Sequence, residues 1–145
     1  MTDSLNPSQR TSIRTTLRAF EKSLRDAGSW LNGVEEDGIL YAAKVRLPVE
    51  SRQEVAREIA AVLERIGNLS ASLDLEKTDD NPLRRVRSEL VISWANLLDT
   101  RSTKLRRYGT VPAQIAEQLD PAIRDLADAA LHLSQVFDEL ANEQE

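Results

Sequence analysis

The chain has no cysteine and a single histidine, His132, among its 145 residues. The absence of cysteine excludes disulfides and thiolate chemistry, and it fits a cytoplasmic protein. One histidine cannot build a histidine-rich metal site, and no segment carries the Glu-x-x-His spacing of di-iron helical bundles. His132 falls beside an apolar row of the last predicted helix. We therefore expect a solvated surface side chain, with a weak pH response as the alternative.

Turn-forming and aromatic residues are also scarce, with five Gly, five Pro and an aromatic content of 4%. Such a composition favours few, long elements around a core of Leu, Ile, Val and Ala, which is typical of helical bundles rather than sandwiches. The hydrophobic and charged fractions, 41% and 30%, are those of a globular protein. The length predicts one domain that spans residues 1–145.

Long apolar runs are missing as well. No stretch approaches the roughly 20 apolar residues that a membrane span needs, and the polar segment 1–10 lacks the apolar core of a secretory signal. A net charge of −5 disfavours nonspecific nucleic-acid binding by the whole surface. The chain has no phosphate-binding glycine loop. We therefore expect a cytoplasmic protein with no membrane contact and no cofactor.

Hydrophobic periodicity predicts an all-α fold in which four long helices form an antiparallel-type bundle. The predicted spans are 7–28 or 7–34, 51–75, 82–108 and 112–142. The first helix should be capped by Asn6 with Gln9, and the second by the capping box Ser51-Arg52-Gln53-Glu54. The dipeptide Asp120-Pro121 predicts a kink rather than a break in the last helix.

A segment between the first two helices, residues 29–50, predicts a short extended or β-hairpin excursion. Asn32-Gly33 and Asp37-Gly38 are hairpin turn signals, and apolar residues alternate from Ile39 to Leu47 as in a strand. The alternation favours an extended run of about nine residues. This run would be half of a small hairpin or a crossover along the bundle, and a helix over the same residues is the third alternative.

The strongest pattern is an apolar row on the last helix, which we name the C-terminal seam. Its members recur at alternating steps of four and three: Ile115, Leu119, Ala122, Leu126, Ala129, Leu133, Val136 and Leu140. A neighbouring row, at steps of seven, consists of Ala116, Ile123, Ala130 and Phe137. Together the two rows form the apolar face of a bundle helix.

Seam positions on the four helices predict the core. Its expected members are Leu17, Phe20, Leu24, Val55, Ile59, Val62, Ile66, Leu69, Leu90, Trp94, Leu98, Leu126, Leu133, Phe137 and Leu140. If the seam is buried in this way, Leu126→Ala should cost about 2–5 kcal/mol.

Charge is divided unevenly between the last two helices. Residues 82–108 carry seven cations against two acids, whereas residues 111–145 carry eight acids against one cation. The simplest interpretation is that the two helices pair across their edges. The alternative is a surface for phosphate or an acidic partner, for which Arg87, Arg101 and Lys104 are the candidate contacts. Arg87 and Arg101 fall in apolar register. We expect them to extend their guanidinium groups to water or a carboxylate, or else to hold an anion in a groove.

The predicted function is non-catalytic. We expect a module for protein–protein interaction or assembly that associates with itself or another protein, with Trp30 and Tyr41 as candidate interface residues. The alternative is an adaptor or regulator that binds nucleic acid or an anionic ligand through the arginine-rich third helix. A carboxylate- or metal-dependent enzyme is a third possibility, which is disfavoured because the paired acids lie outside the apolar seams.

Overall fold

The computed structural model describes residues 4–144, and the chain divides into two compact units, Met1–Thr78 and Asp79–Glu145. Most of the described residues are helical, and one short antiparallel hairpin lies between the first two helices. The predicted all-α class and the hairpin are therefore confirmed. None of the helices within residues 4–144 is long and apolar enough to cross a membrane.

Helix α1 covers Pro7–Leu31 and begins at the predicted cap. Asn6 Oδ1 accepts a hydrogen bond from the backbone of Gln9, and Gln9 Oε1 accepts one from the backbone of Asn6. The helix ends between the two predicted limits because Gly33 adopts a positive φ of 96°. Hydrogen bonds from the backbone N–H groups of Gly33 and Val34 to the carbonyls of Trp30 and Ser29 complete a Schellman motif there.

The hairpin pairs strand β1, Glu36–Asp37, with strand β2, Ala42–Ala43. Glu36 lies opposite Ala43, and Asp37 lies opposite Ala42. Of the three alternatives for residues 39–47, the hairpin is therefore correct, and its paired part in that run is limited to Ala42–Ala43. Strand β1 is short because it lies between the end of α1 and the chain reversal that begins at Gly38.

Helix α2 covers Val49–Ser72, two residues earlier at its start than predicted. The expected capping box does not form, because Pro48 occupies the cap position without a side-chain hydrogen bond. At the other end of α2 a second Schellman motif forms, and Asp74 is its residue with positive φ, 53°. The Arg10 guanidinium donates to the carbonyls of Leu73 at 3.2 Å and Asp74 at 2.8 Å, which places the start of α1 beside the end of α2. The two helices are therefore antiparallel.

The first helix of the second unit is α3, Pro82–Leu98, and the Asn81 side chain caps its start. The predicted continuous helix over 82–108 is wrong. After a turn the chain forms a short helix α4, Ser102–Leu105, and a 3-10 turn, Arg106–Tyr108. Arg101 is extended (φ −64°, ψ 154°), so it cannot continue the helix.

Helix α5 covers Ala113–Gln144 and continues through Pro121, so the expected absence of a break is confirmed. It runs antiparallel to α3. The Asn81 amide donates to the carbonyl of Ala141 at 3.1 Å, whereas the backbone N–H of Ser102 donates to Asp120 at 2.8 Å, so opposite ends of the two segments meet.

The core lies on a face of α5 that consists mainly of small residues. Among the described residues the buried side chains are Ser102, Ile123, Ala127, Ala130, Ser134 and Ala141. The neighbouring row contributes to this face, but the C-terminal seam does not. Alanine and serine let α3 approach closely, so its bulkier side chains pack on the small-residue face and leave the leucines beside it.

The expected core is therefore wrong at several positions. The exposed members are Phe20, Val55, Leu69, Leu126, Leu133 and Leu140. Leu126 is 56% exposed, so the cavity penalty expected for Leu126→Ala does not apply to it. The other expected core residues are half-buried rather than buried.

Candidate functional site

Arg87 lies on α3 and reaches an acid of the antiparallel helix. Its Nε is 3.6 Å from Asp138 Oδ1, and the two side chains are 48% and 44% exposed. This is one of the edge pairs that the uneven charge distribution predicts. The expected extension of the Arg87 guanidinium to a carboxylate is therefore confirmed. An exposed pair of this kind contributes little to stability.

Arg101 is also exposed, and its Nε donates to the carbonyl of Leu98 at 2.9 Å. It therefore satisfies a carbonyl at the C-terminus of α3, as basic side chains do at helix ends. The expectation that Arg101 occupies an apolar register position failed because the helix ends before it.

Four cations gather in the seven residues 101–107, which follow α3, and we name them the basic corner: Arg101, Lys104, Arg106 and Arg107. All are exposed. The Arg107 guanidinium lies 4.8 Å from the ring centre of Tyr108, which is 77% exposed. Two of the predicted anion contacts, Arg101 and Lys104, belong to this corner. Arg87 does not belong to it, because the 11 helical steps from Arg87 to Leu98, the end of α3, span about 16 Å.

The polar contact that joins the basic corner to α5 has Asp120 at its centre. Asp120 Oδ1 accepts the backbone N–H of Ser102 at 2.8 Å, and Oδ2 accepts the Ser102 hydroxyl at 2.5 Å. These two hydrogen bonds lower the pKa of Asp120, with a smaller contribution from the cations Arg101 and Arg106. Sequence reasoning missed this contact. The dipeptide Asp120-Pro121 predicts only a kink in its own helix, whereas the Asp120 carboxylate accepts hydrogen bonds from the first residue of a helix that begins 18 residues earlier.

The C-terminal seam is a long apolar surface that α3 does not cover. Its four large exposed side chains are Ile115 at 49%, Leu126 at 56%, Leu133 at 44% and Leu140 at 41%. The polar edge beside the seam, on the side away from the neighbouring row, is exposed along its whole length. This edge consists of Gln118, Asp125, His132 and Glu139. A row of exposed leucines on a helix is typical of a surface that binds another protein.

The predicted interface residues Trp30 and Tyr41 lie in different places. Trp30 is half-buried in the last turn of α1. Tyr41 is 60% exposed beside the tip of the hairpin, where Ile39 and Leu40 are 100% and 96% exposed. The Tyr41 hydroxyl donates to Glu36 Oε2 at 2.8 Å, and this hydrogen bond and the charge of Glu36 raise the pKa of Tyr41. A Cβ on Gly38 would lie 2.8 Å from the Tyr41 ring, so the glycine makes room for this packing.

A shallow cleft of about 250 Å³ lies between the end of α1 and the start of α2. It contains Arg52, whose Nε is buried without a hydrogen-bond partner. The cleft is largely open to solvent. Among the residues that the structure describes, no three His, Asp or Glu side chains are grouped to hold a metal ion.

Comparison of the chain with protein-family models, with curated protein sequences and with solved structures finds no match.

Proposed function

We propose that the protein is a non-catalytic, cytoplasmic helical module for protein assembly and that it associates with itself. The observation that carries the proposal is the C-terminal seam. Four of its large side chains are 41–56% exposed although they repeat in register along a 32-residue helix. Burial of such side chains in an apolar contact favours association, because it removes apolar surface from water.

The first unit supports the same proposal. None of its described residues, 4–78, is buried, and Phe20, Val55 and Leu69 are 40–47% exposed. A pair of helices without a buried side chain gains little from its own packing, and isolated helices are marginal in water. Both units therefore have apolar faces that contact with another apolar surface would stabilise.

We propose further that the cover over the seam completes a four-helix arrangement, with α3 and α5 supplied by each of two copies. The bundle that the sequence predicts, with α1, α2, α3 and α5 of one chain, is the competing way to cover the same seam. The two arrangements differ in mass, because only the first requires a dimer.

Sedimentation equilibrium at micromolar concentration tests the proposal. The wild-type chain should sediment above its monomer mass of 16.2 kDa. A Leu126→Gln, Leu133→Gln variant should sediment as a monomer with unchanged helical content. Ile92→Gln is the matched control, because Ile92 is 59% exposed and lies on the opposite side of α3 from its apolar face. A monomeric wild-type protein would overturn the proposal.

A second candidate function is binding of an anionic ligand or nucleic acid through the basic corner. The observation in its favour is four exposed cations within seven residues, beside an exposed tyrosine on which a base can stack. Anisotropy of a short labelled single-stranded DNA tests it. Binding should weaken steeply with salt and disappear in Lys104→Glu, Arg107→Glu, but persist in the control Arg57→Glu, Arg65→Glu. Equal binding by both variants would contradict a role for the corner.

A further inference from the structure

We infer that the partner of the C-terminal seam is the same seam of a second copy, in antiparallel orientation and in one register. This inference rests on the proposed self-association and adds its geometry. In that register the residue numbers of facing seam positions add up to 255. The facing pairs are Ile115 with Leu140, Leu119 with Val136, Ala122 with Leu133, and Leu126 with Ala129.

Side-chain size is the first argument for this pairing. The seam contains two small residues, Ala122 and Ala129. In the antiparallel register each alanine faces a leucine of the other copy, so that small and large side chains alternate across the contact as they do in well-packed cores. A parallel pairing would place each alanine opposite itself and leave two gaps along the interface. The antiparallel contact extends over about 38 Å of helix.

The polar edge beside the seam is the second argument. Antiparallel helices bring these edges together. The same register places Asp125 opposite His132 and Gln118 opposite Glu139, so each acid meets a group that donates a hydrogen bond. A shift of seven residues one way brings Asp125 opposite Glu139, and a shift the other way brings Asp125 opposite itself. Like charges directly opposite disfavour both shifts, so the stated register is favoured over its two seven-residue neighbours.

Exposure permits this contact. Gln118, Asp125, His132 and Glu139 are all exposed, and so are Ala122 and Ala129. The opposite edge of the seam is the neighbouring row, which includes the buried Ile123 and Ala130 against α3. A second copy can therefore approach only from the polar edge side, which is the side that carries the complementary groups.

Thiol crosslinking measures the orientation directly, because the chain has no cysteine of its own. Gln118→Cys and Glu139→Cys chains are mixed in equal amounts and treated with a short bismaleimide. The mixture should give a crosslinked dimer, whereas neither variant alone should, because identical positions lie about 30 Å apart along antiparallel helices. Arg124→Cys mixed with Gln135→Cys is the control, since these positions have similar heights in the proposed dimer but lie on the far face.

A second variant has opposite effects in the two orientations. Ala129→Leu places a leucine against Leu126 of the other copy in the antiparallel register, and overpacking of this kind should weaken dimerisation about tenfold or more. In a parallel dimer the same change would fill a gap and tighten association. Ala95→Leu is the control, because Ala95 is exposed on α3, and this change should leave the dissociation constant of the dimer unaltered.

The outcomes separate this inference from the proposed function. Crosslinking in the mixture alone, together with a weakened Ala129→Leu dimer, supports the antiparallel register. Crosslinking of each variant by itself overturns the orientation, and a wild-type dimer that crosslinks in neither way overturns the use of the seam, while both leave self-association intact. A wild-type monomer in sedimentation overturns self-association and the pairing together.

Discussion

At the scale of single residues, Asp120 joins two helices of the second unit. Its carboxylate accepts two hydrogen bonds from Ser102, a residue that is only 3% exposed, and thereby holds the start of α4 against α5. An acid that is better stabilised as a carboxylate in the folded chain than in the unfolded chain links stability to pH. Because the pKa of Asp120 is lowered, we expect this residue to contribute to the loss of stability at acid pH.

We expect Asp120→Asn to remove part of the acid sensitivity of the fold. The contribution of Asp120 is fully present above its usual pKa of 3.8 and is lost as the pH falls through the lowered pKa of the folded state. The wild-type melting temperature should fall more steeply below about pH 4 than that of the variant. Asp26→Asn, an exposed change on α1, is the control and should follow the wild-type curve. Parallel wild-type and Asp120→Asn curves would contradict the assignment.

Tyr41 allows a second test at this scale. The chain has two tyrosines, so a Tyr108→Phe background leaves Tyr41 as the source of the tyrosinate absorbance. In that background Glu36→Gln should lower the pKa of Tyr41, because it removes the charge of the group to which the hydroxyl donates. Glu35→Gln removes a neighbouring acid that pairs with Lys44 and should have a smaller effect. An unchanged titration in Glu36→Gln would show that the hairpin contact is absent in solution.

At the scale of helices, packing in the second unit depends on small side chains. Ala127 is 1% exposed on the buried face of α5, so Ala127→Leu has no space for its extra carbons. We expect a loss of about 1–3 kcal/mol in the free energy of unfolding by denaturant. Ala95→Leu places the same side chain on an exposed position of α3 and should stay within about 0.5 kcal/mol of wild type. Equal stability of the two variants would contradict the assignment of the α5 face.

The sequence predicts the starts of α1 and α3 well, because the signals there are local. Asn6-Pro7 and Asn81-Pro82 mark the starts of α1 and α3 because a capping side chain acts within one turn of its own helix. The break after Leu98 is not local, since a carboxylate 18 residues away stabilises the new helix start at Ser102. Periodicity identifies the apolar arc of α5, but it does not show which part of a wide arc α3 occupies. The small-residue face is buried because it permits the closest approach, although the leucine row is more hydrophobic.

At the scale of the whole molecule, burial is concentrated in the second unit. The described buried residues all lie between Ser102 and Ala141, and none lies within residues 4–78. Association that covers exposed apolar side chains adds its free energy to the stability of the fold.

We therefore expect the melting temperature to rise with protein concentration between about 1 and 100 μM, because dimerisation stabilises only the folded chain. The Leu126→Gln, Leu133→Gln variant should melt at one temperature across that range, whereas the Ile92→Gln control should keep the concentration dependence. A wild-type melting temperature independent of concentration would indicate a seam that is covered within one chain.

Pro121 divides α5 into two parts whose amide hydrogens should exchange with solvent at different rates. Proline has no backbone N–H, so the carbonyl of Glu117 has no partner in the ladder of an otherwise continuous helix. The first turns, before Pro121, are held instead by the contact between Asp120 and Ser102. These turns should open and close as a separate unit, with amide hydrogens of residues 117–120 exchanging with deuterium faster than those of residues 127–141. In Asp120→Asn the difference between the two rates should widen, and uniform exchange along α5 would show that the helix opens as one piece.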